Sequence, residues 1–267
     1  IWIFLVKFNS SGIKHWTSQL GTPKEDYVSS LAIDSSGNIY LSGKTNGNME
    51  DPNSKENDLK KFKFGDDVYI VKYNPYGAKQ WTKQISSFSG KFNEYIHGES
   101  IATDSFGNIY VTGNFRGVLG GKKNLGFEDI FLIKFNSSGS KIWTKQIGTT
   151  LPDWGEAVTT DSSGNIYVTG YTGGGLDGNK NLGEDDIFLI KFNSSGSKLW
   201  TRQLGTDKFD FGGGVTTDSS DNVFVIGGTK GGLDGNKNIG DIDTFLMKFN
   251  SSGTKQWTRQ FGTPKED

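Results

Sequence analysis

Apolar runs recur along the chain, each followed by a short polar turn and then by a stretch in which apolar and polar positions alternate. In the third copy the run is DIFLIKF, the turn is NSSG, and the alternating stretch is KLWTRQL, with Trp200, Arg202 and Leu204 set against Leu199, Thr201 and Gln203. An unbroken apolar run needs cover on both faces, whereas alternation marks a strand with one face in water. Just upstream, EAVTT leads through the turn DSSGN into the β-branched and aromatic run NIYVTG, a second hairpin. Helical periodicity is absent, which excludes parallel βαβ units and leaves four antiparallel strands per unit.

The unit repeats. WT(S/K/R)Q begins at Trp16, Trp81, Trp143, Trp200 and Trp257, with separations of 65, 62, 57 and 57 residues. GNIY, or its variant DNVF, begins at Gly37, Gly107, Gly164 and Asp221, separated by 70, 57 and 57, so the first unit carries an insertion, the polar tract 47–65. Units of this length are too long for solenoid coils and sit just above those of propeller blades. Residue size agrees: Ala157, Val158 and Thr159, or Gly213, Gly214 and Val215, suit a crowded inner strand, and Ile187 to Ile190 suit a middle strand sandwiched between blades. The predicted fold is all-β, a β-propeller of four-stranded antiparallel blades, with four complete repeats plus a half-blade and about 18 strands. The units are 1–20 (outer half-blade), 21–85, 86–147, 148–204 and 205–261, with 262–267 starting a further repeat.

The stretch TTDSSGNIYVTGYTGGGLDGNKNLGEDDIFLIKFNSSGSKLWTRQLGT resembles the bacterial β-propeller repeat known as the SBBP repeat, and the resemblance extends over essentially the whole chain. It implies a propeller of bacterial secreted, periplasmic or cell-surface proteins. It brings no set of catalytic residues with it.

Composition narrows the partners. The 267 residues, 33% apolar and 13% aromatic, suffice for a substantial core, and the net charge of −1 comes from acids and bases spread along the chain, with no basic stripe for nucleic acid. There are no cysteines, and the longest apolar runs, such as IWIFLV, are too short for a membrane span.

Candidate chemistry is sparse. Tyr27, His97, Trp154 and Phe211 each precede the Asp of the following turn by seven residues, which puts one aromatic ring per unit beside the mouth of a central channel. Glu99 and Glu156 follow two residues later; aromatic platforms with carboxylates suit a glycan or a peptide, although the same rings would also pack one blade on the next. A rival reading makes Glu99 and Glu156 the acids of a polysaccharide-acting enzyme. His15 and His97 form no triad or metal cluster with other residues in this reading.

The loop GGLDGNKNLGEDD has calcium-like spacing at Asp177, Asn179, Asn181 and Asp185, echoed by Asp234, Asn236, Asn238 and Asp241; the second unit has Gly120 and Lys122 at the first two of these places. Ca2+ is therefore a candidate cofactor of the third and fourth loops, against the plainer role of Asp, Asn and Gly as turn formers. Asp67, Asp129, Asp186 and Asp243 are expected to accept loop amides at the start of the buried strand, and the NSS sequons at Asn9, Asn136, Asn193 and Asn250 to be hairpin turns. The chain opens and closes on two outer strands, which fits either part of a longer array or self-association through half-blades. The function expected is a non-catalytic binding or scaffold module.

Overall fold

A computed structural model describes residues 2–52, 65–86 and 94–264, so most of the insertion and the last three residues of the closing GTPKED lie outside the described residues. Its strands form four antiparallel sheets of four, here called blades, each built from two hairpins in chain order. Blade 1 contains β3 (Asp26–Ile33), β4 (Ile39–Thr45), β5 (Asp67–Tyr73) and β6 (Lys79–Ile85). Blade 2 contains β7 (Tyr95–Thr103), β8 (Ile109–Arg116), β11 (Asp129–Phe135) and β12 (Lys141–Ile147). Blade 3 contains β13 (Asp153–Thr160), β14 (Ile166–Thr172), β15 (Asp186–Phe192) and β16 (Lys198–Leu204). Blade 4 contains β17 (Asp210–Thr217), β18 (Val223–Thr229), β19 (Asp243–Phe249) and β20 (Lys255–Phe261). The hairpin β1 (Ile3–Phe8) and β2 (Lys14–Leu20) is the half-blade that precedes them.

These are the 18 strands the repeats predict; the addition is a short ribbon of β9 (Val118–Leu119) and β10 (Lys122–Lys123) in the blade 2 loop. Gly120 and Gly121 stand at positive φ between them and make that reversal. Blades 3 and 4 instead carry single 3-10 turns there, Leu176–Gly178 and Leu233–Gly235.

Neighbouring blades lie face to face, and their inner strands β3, β7, β13 and β17 run side by side in order. Thr103, Thr160 and Thr217 each donate a hydroxyl to a carbonyl one blade back, on Ile33, Thr103 and Thr160, at 3.1, 3.0 and 3.0 Å. Every residue of β11 and β15 is buried, because a blade covers each face. In β19 burial alternates, because no described blade lies beyond blade 4.

Each inner strand contains a β-bulge at the same place, where one extra residue breaks the alternation: Ser29, Glu99, Glu156 and Gly213. A bulge leaves its extra residue outside the ladder and re-aims its side chain.

Candidate functional site

The start of each buried third strand is fixed by a carboxylate. Asp129 accepts the amide of Leu125 at 2.9 Å and Nε2 of Gln146 at 2.6 Å; Asp186 accepts Leu182 and Gln203, both at 2.9 Å; Asp243 accepts Ile239 at 3.1 Å and Gln260 at 2.8 Å. Asp67 accepts Gln84 at 2.6 Å. This is the role expected of Asp129, Asp186 and Asp243; Asp67 shares their glutamine contact. It also explains the Gln of WTxQ, whose amide reaches the loop carbonyls of Gly47, Lys123, Gly174 and Gly231 from the outer strand. The sequence shows that these glutamines repeat but not what they hold.

A second tie joins the inner strand to its neighbour. Asp26, Asp153 and Asp210, all fully buried, accept the amides of Thr22, Thr149 and Thr206 and the hydroxyls of Thr45, Thr172 and Thr229. In blade 2 both partners change together, to the buried apolar pair Ile96 and Phe115. Burial pushes Asp153 up to about 6, against the hydrogen bonds from its threonines.

Above these ties, where the inner strands begin, the four expected aromatic residues take different surroundings. Tyr27 has the Lys44 ammonium 5.3 Å from its ring centre. Lys44 lies 3.4 Å from Asp66, which is 2.9 Å from Nε2 of His97. That contact, opposed by burial, holds Asp66 below the usual carboxylate range. His97 stacks on Tyr95, whose hydroxyl donates to Glu128 at 3.0 Å. Across blades 1 and 2 the rim is thus a charged chain of contacts.

Blades 3 and 4 turn aromatic. Trp154 stacks on Tyr171 with centroids 4.7 Å apart, and Tyr171 meets Phe209 and Phe211 edge-on at 5.8 and 6.3 Å. These rings are half-buried, and the edge contacts tie blade 3 to blade 4. Glu99 and Glu156 are the bulge residues of adjacent blades, close enough for the charge of one to act on the other. Burial first, and then the charge of Glu99, push Glu156 up to about 7. Burial, then the charges of Glu156, Asp185, Glu99 and Glu128, hold the Tyr171 phenol above its ordinary range. The charges of carboxylates from two blades therefore reach Tyr171. Tyr171, Tyr95, Lys44, Asp66 and Glu128 are absent from the sequence reading; Lys44 and Tyr171 are signalled by cross-strand pairing, opposite Tyr27 and Trp154, and the other three by no pairing with the predicted rings.

The calcium-like loops are arranged otherwise. Both carboxylate oxygens of Asp177 are engaged, by Lys198 and Thr201, and those of Asp234 by Lys255 and Thr258. Burial opposes ionisation at both, but these hydrogen bonds and the lysine charges hold them below the ordinary range. Asn179 and Asn236 donate to the carbonyls of Leu176 and Leu233 at 2.6 and 2.7 Å, and Asn181 donates to Gly173 and accepts from Gly183. Asn238 donates to Thr229, and Asp241 pairs with Lys230 at 3.5 Å. Asp185 lies at the rim, within reach of Tyr171, and is raised by burial and by Glu184 and Asp186. Seven of the eight residues, all but Asp185, tie their loops to their own blades; among the described residues no group of three or more Asp, Glu or His side chains is arranged to hold a metal ion. Asn9, Asn136, Asn193 and Asn250 close hairpin turns, each accepting the amide four residues on at 2.8 to 2.9 Å.

A family model described as a beta-propeller repeat, SBBP, matches residues 15–49, 80–114, 142–177 and 199–234. The chain belongs to the SBBP beta-propeller repeat family. Each match runs from an outer strand through the next blade's inner hairpin, so it covers the WTxQ clamp and the DSSGN turn. Curated relatives include an uncharacterized WD repeat-containing protein of Acanthamoeba polyphaga mimivirus, 23% identical over 95% of this chain, and the regulatory protein FlaEY of Caulobacter vibrioides, 24% identical over 74%. The chain spans 24% of the length of each. Among solved structures, the Trypanosoma rangeli sialidase in complex with sialic acid aligns over 96% of this chain and 40% of its own, with a TM-score of 0.52 and 7% identity, a likeness of fold alone. No helix among the described residues is long and apolar enough to cross a membrane.

Proposed function

We propose that this SBBP propeller is a non-catalytic binding module of a bacterial secreted or cell-surface protein, and that it takes a glycan at the rim of its inner strands. The observation that carries the reading is the half-buried Trp154–Tyr171 stack, whose Tyr171 feels the charges of Glu156 and Glu99 from two adjacent bulges. A half-buried ring face accepts the C–H face of a sugar, and carboxylates accept its hydroxyls. The charged chain from Lys44 to Glu128 supplies further donors and acceptors for a ligand longer than one ring. Turnover would need an acid and a base set at a defined separation about the bond to be cleaved; the raised Glu156 beside Glu99 is the pair on which that rival reading stands.

Calorimetry on a glycan array hit tests the module. Trp154→Ala is expected to abolish binding while the protein stays folded, and no reducing ends are expected to appear on prolonged incubation. Binding that survives Trp154→Ala overturns the site, and reducing-end release that is lost in Glu156→Gln replaces the module by an enzyme.

A further inference from the structure

Two carboxyl groups meet under the link from blade 3 to blade 4. Asp186 starts β15 and Asp210 starts β17, and both are fully buried. A Cβ placed on Gly205, in the link between them, would lie 2.2 Å from Oδ1 of Asp186 and 3.1 Å from Oδ2 of Asp210, so the two oxygens flank one point and the glycine closes it to anything larger than its own hydrogen. Neither carboxyl belongs to any of the ion pairs of blades 3 and 4 among the described residues. Their titratable neighbours are Glu184 and Asp185, just before β15, and Asp207 and Lys208, both exposed, in the link; β16 and β18 contact the pair through the neutral Gln203 and Thr229.

The donors around the two carboxyls are unequal. Asp210 accepts the Thr206 amide at 2.5 Å and the Thr206 hydroxyl at 2.8 Å on Oδ2, and the Thr229 hydroxyl on Oδ1. Asp186 accepts Leu182 and Gln203 on Oδ2, both at 2.9 Å, while its Oδ1 has no partner. In blade 4 the same oxygen of Asp243 accepts the Ile239 and Gly240 amides at 3.3 and 3.2 Å, and in blade 2 that of Asp129 accepts the Gly126 amide at 3.4 Å. Blade 3 lacks this bond because the matching amide, of Gly183, donates to Oδ1 of Asn181 at 2.9 Å. A buried carboxylate oxygen without a donor, beside a second carboxylate, is strongly unfavourable when both groups are ionised. A proton on that lone pair removes one charge and displaces no donor. Burial, and then the Asp186 charge, raise Asp210 against the hydrogen bonds from Thr229 and Thr206.

We propose that Asp186 and Asp210 share one bound proton in the folded protein, seated on the open oxygen of Asp186, and that this proton is a pH-sensitive clasp between blade 3 and blade 4. It belongs to the pair rather than to either residue alone. Its contribution is full below the ordinary carboxylate value and is lost as pH rises through the raised value of the pair. The clasp lies under the rim, since the Asp210 amide donates to the Asp185 carbonyl at 2.9 Å and the charge of Asp185 reaches Tyr171. Repulsion between two ionised carboxylates is therefore felt where Tyr171 of blade 3 meets Phe211 of blade 4. Between blades 1 and 2 no such pair forms, because Ile96 stands where Asp210 stands.

Urea titrations of the wild-type chain, Asp186→Asn and Asp243→Asn from about pH 4 to about pH 8 test this. An Asn at position 186 keeps its carbonyl oxygen on Leu182 and Gln203 and sets its NH2 group where the proton is held, so it folds without taking one up. The folding equilibrium of the wild type is expected to fall relative to that of Asp186→Asn by about tenfold per pH unit until the pair ionises. In Asp243→Asn the NH2 group meets the Ile239 and Gly240 amides instead, and the loss is expected to be the same at every pH. Carbon-13 shifts of the aspartate carboxyls in the wild type read the proton without any substitution: one of the pair is expected to titrate above the ordinary value of about 4. An Asp186→Asn variant that fails to fold, or that loses as much as Asp243→Asn at every pH, overturns the proposal. So does a wild type in which both carboxyls ionise at or below about pH 4.

Discussion

The ties beneath the loops and the rim above them sit a few residues apart in every blade, yet they behave as opposites. Asp129, Asp186 and Asp243 with their glutamines recur almost atom for atom. The rim positions Tyr27, His97, Trp154 and Phe211, the residues facing them across the ladder, and the bulge residues Ser29, Glu99, Glu156 and Gly213 differ in each blade. A buried carboxylate with two or three donors tolerates no substitution that leaves those donors unpaired, so every copy keeps it. At the rim water replaces any missing partner, and each blade can carry its own chemistry.

The sharpest way to break this contrast is to remove a tie. Asp129→Ala orphans the Leu125 amide and the Gln146 side chain inside the protein, and is expected to lower unfolding stability by about 3 kcal/mol, read by urea titration, while the folded fraction keeps its rim intact. A result below about 1 kcal/mol would put the carboxylate among the replaceable groups.

Blade 2 offers a reciprocal experiment. Ile96→Asp alone buries a carboxyl against Phe115 and is expected to cost about 3 kcal/mol, whereas adding Phe115→Thr rebuilds the pair of the other blades and recovers at least half of it. Additive losses would show that the two positions are not coupled.

At the rim the effects are smaller and functional. Trp154→Ala removes one ring of the stack and is expected to cost about 1 to 2 kcal/mol of stability, together with the loss of glycan binding. A larger stability loss with binding retained would move Trp154 to the structural side of the comparison.

Glu156 and Asp153 give the rim and the ties a common pH dependence. Both carboxyls are raised in the folded protein, to about 7 and about 6, so their contribution is fully present at acid pH and is lost as pH rises through those values. Thermal stability is expected to fall from about pH 5 to about pH 8, and Glu156→Gln to flatten that fall by about 1 kcal/mol after allowance for its contact with solvent. An unchanged profile in Glu156→Gln would show that burial does not raise Glu156 in the folded protein.

The smallest change belongs to the calcium-like loop. Asp177→Asn loses an exposed ion pair with Lys198 and is expected to shift stability by about 0.5 kcal/mol or less at physiological salt. The same titration repeated with calcium asks whether a cation draws Asp177 from Lys198: a calcium-dependent rise in Tm that disappears in Asp177→Asn would favour calcium in the loop, and no change would count against it.

The fold was legible because its signals are local and repeated: turn residues, β-branched runs and the WTxQ phrase mark the strands of each blade at nearly constant spacing. The strand-start carboxylates were legible for the same reason. What escaped depends on pairing across strands or over long separations. Tyr171 reads as one more strand tyrosine until the ladder sets it opposite Trp154. Asp177 looks like a free ligand until Lys198, 21 residues on, returns on the outer strand to meet it. The ribbon β9–β10 arises from two adjacent glycines, Gly120 and Gly121, that only backbone geometry turns into a hairpin.

The bulge in each inner strand has a consequence for how such a protein can be altered. Ser29, Glu99, Glu156 and Gly213 are held outside the alternation that commits every other strand residue to core or solvent. A side chain changed there leaves the register of the sheet around it unshifted. The inner strands therefore carry four editable letters, one in each described blade, with Glu99 and Glu156 coupled by charge, and recombining them offers new recognition surfaces on an unchanged scaffold.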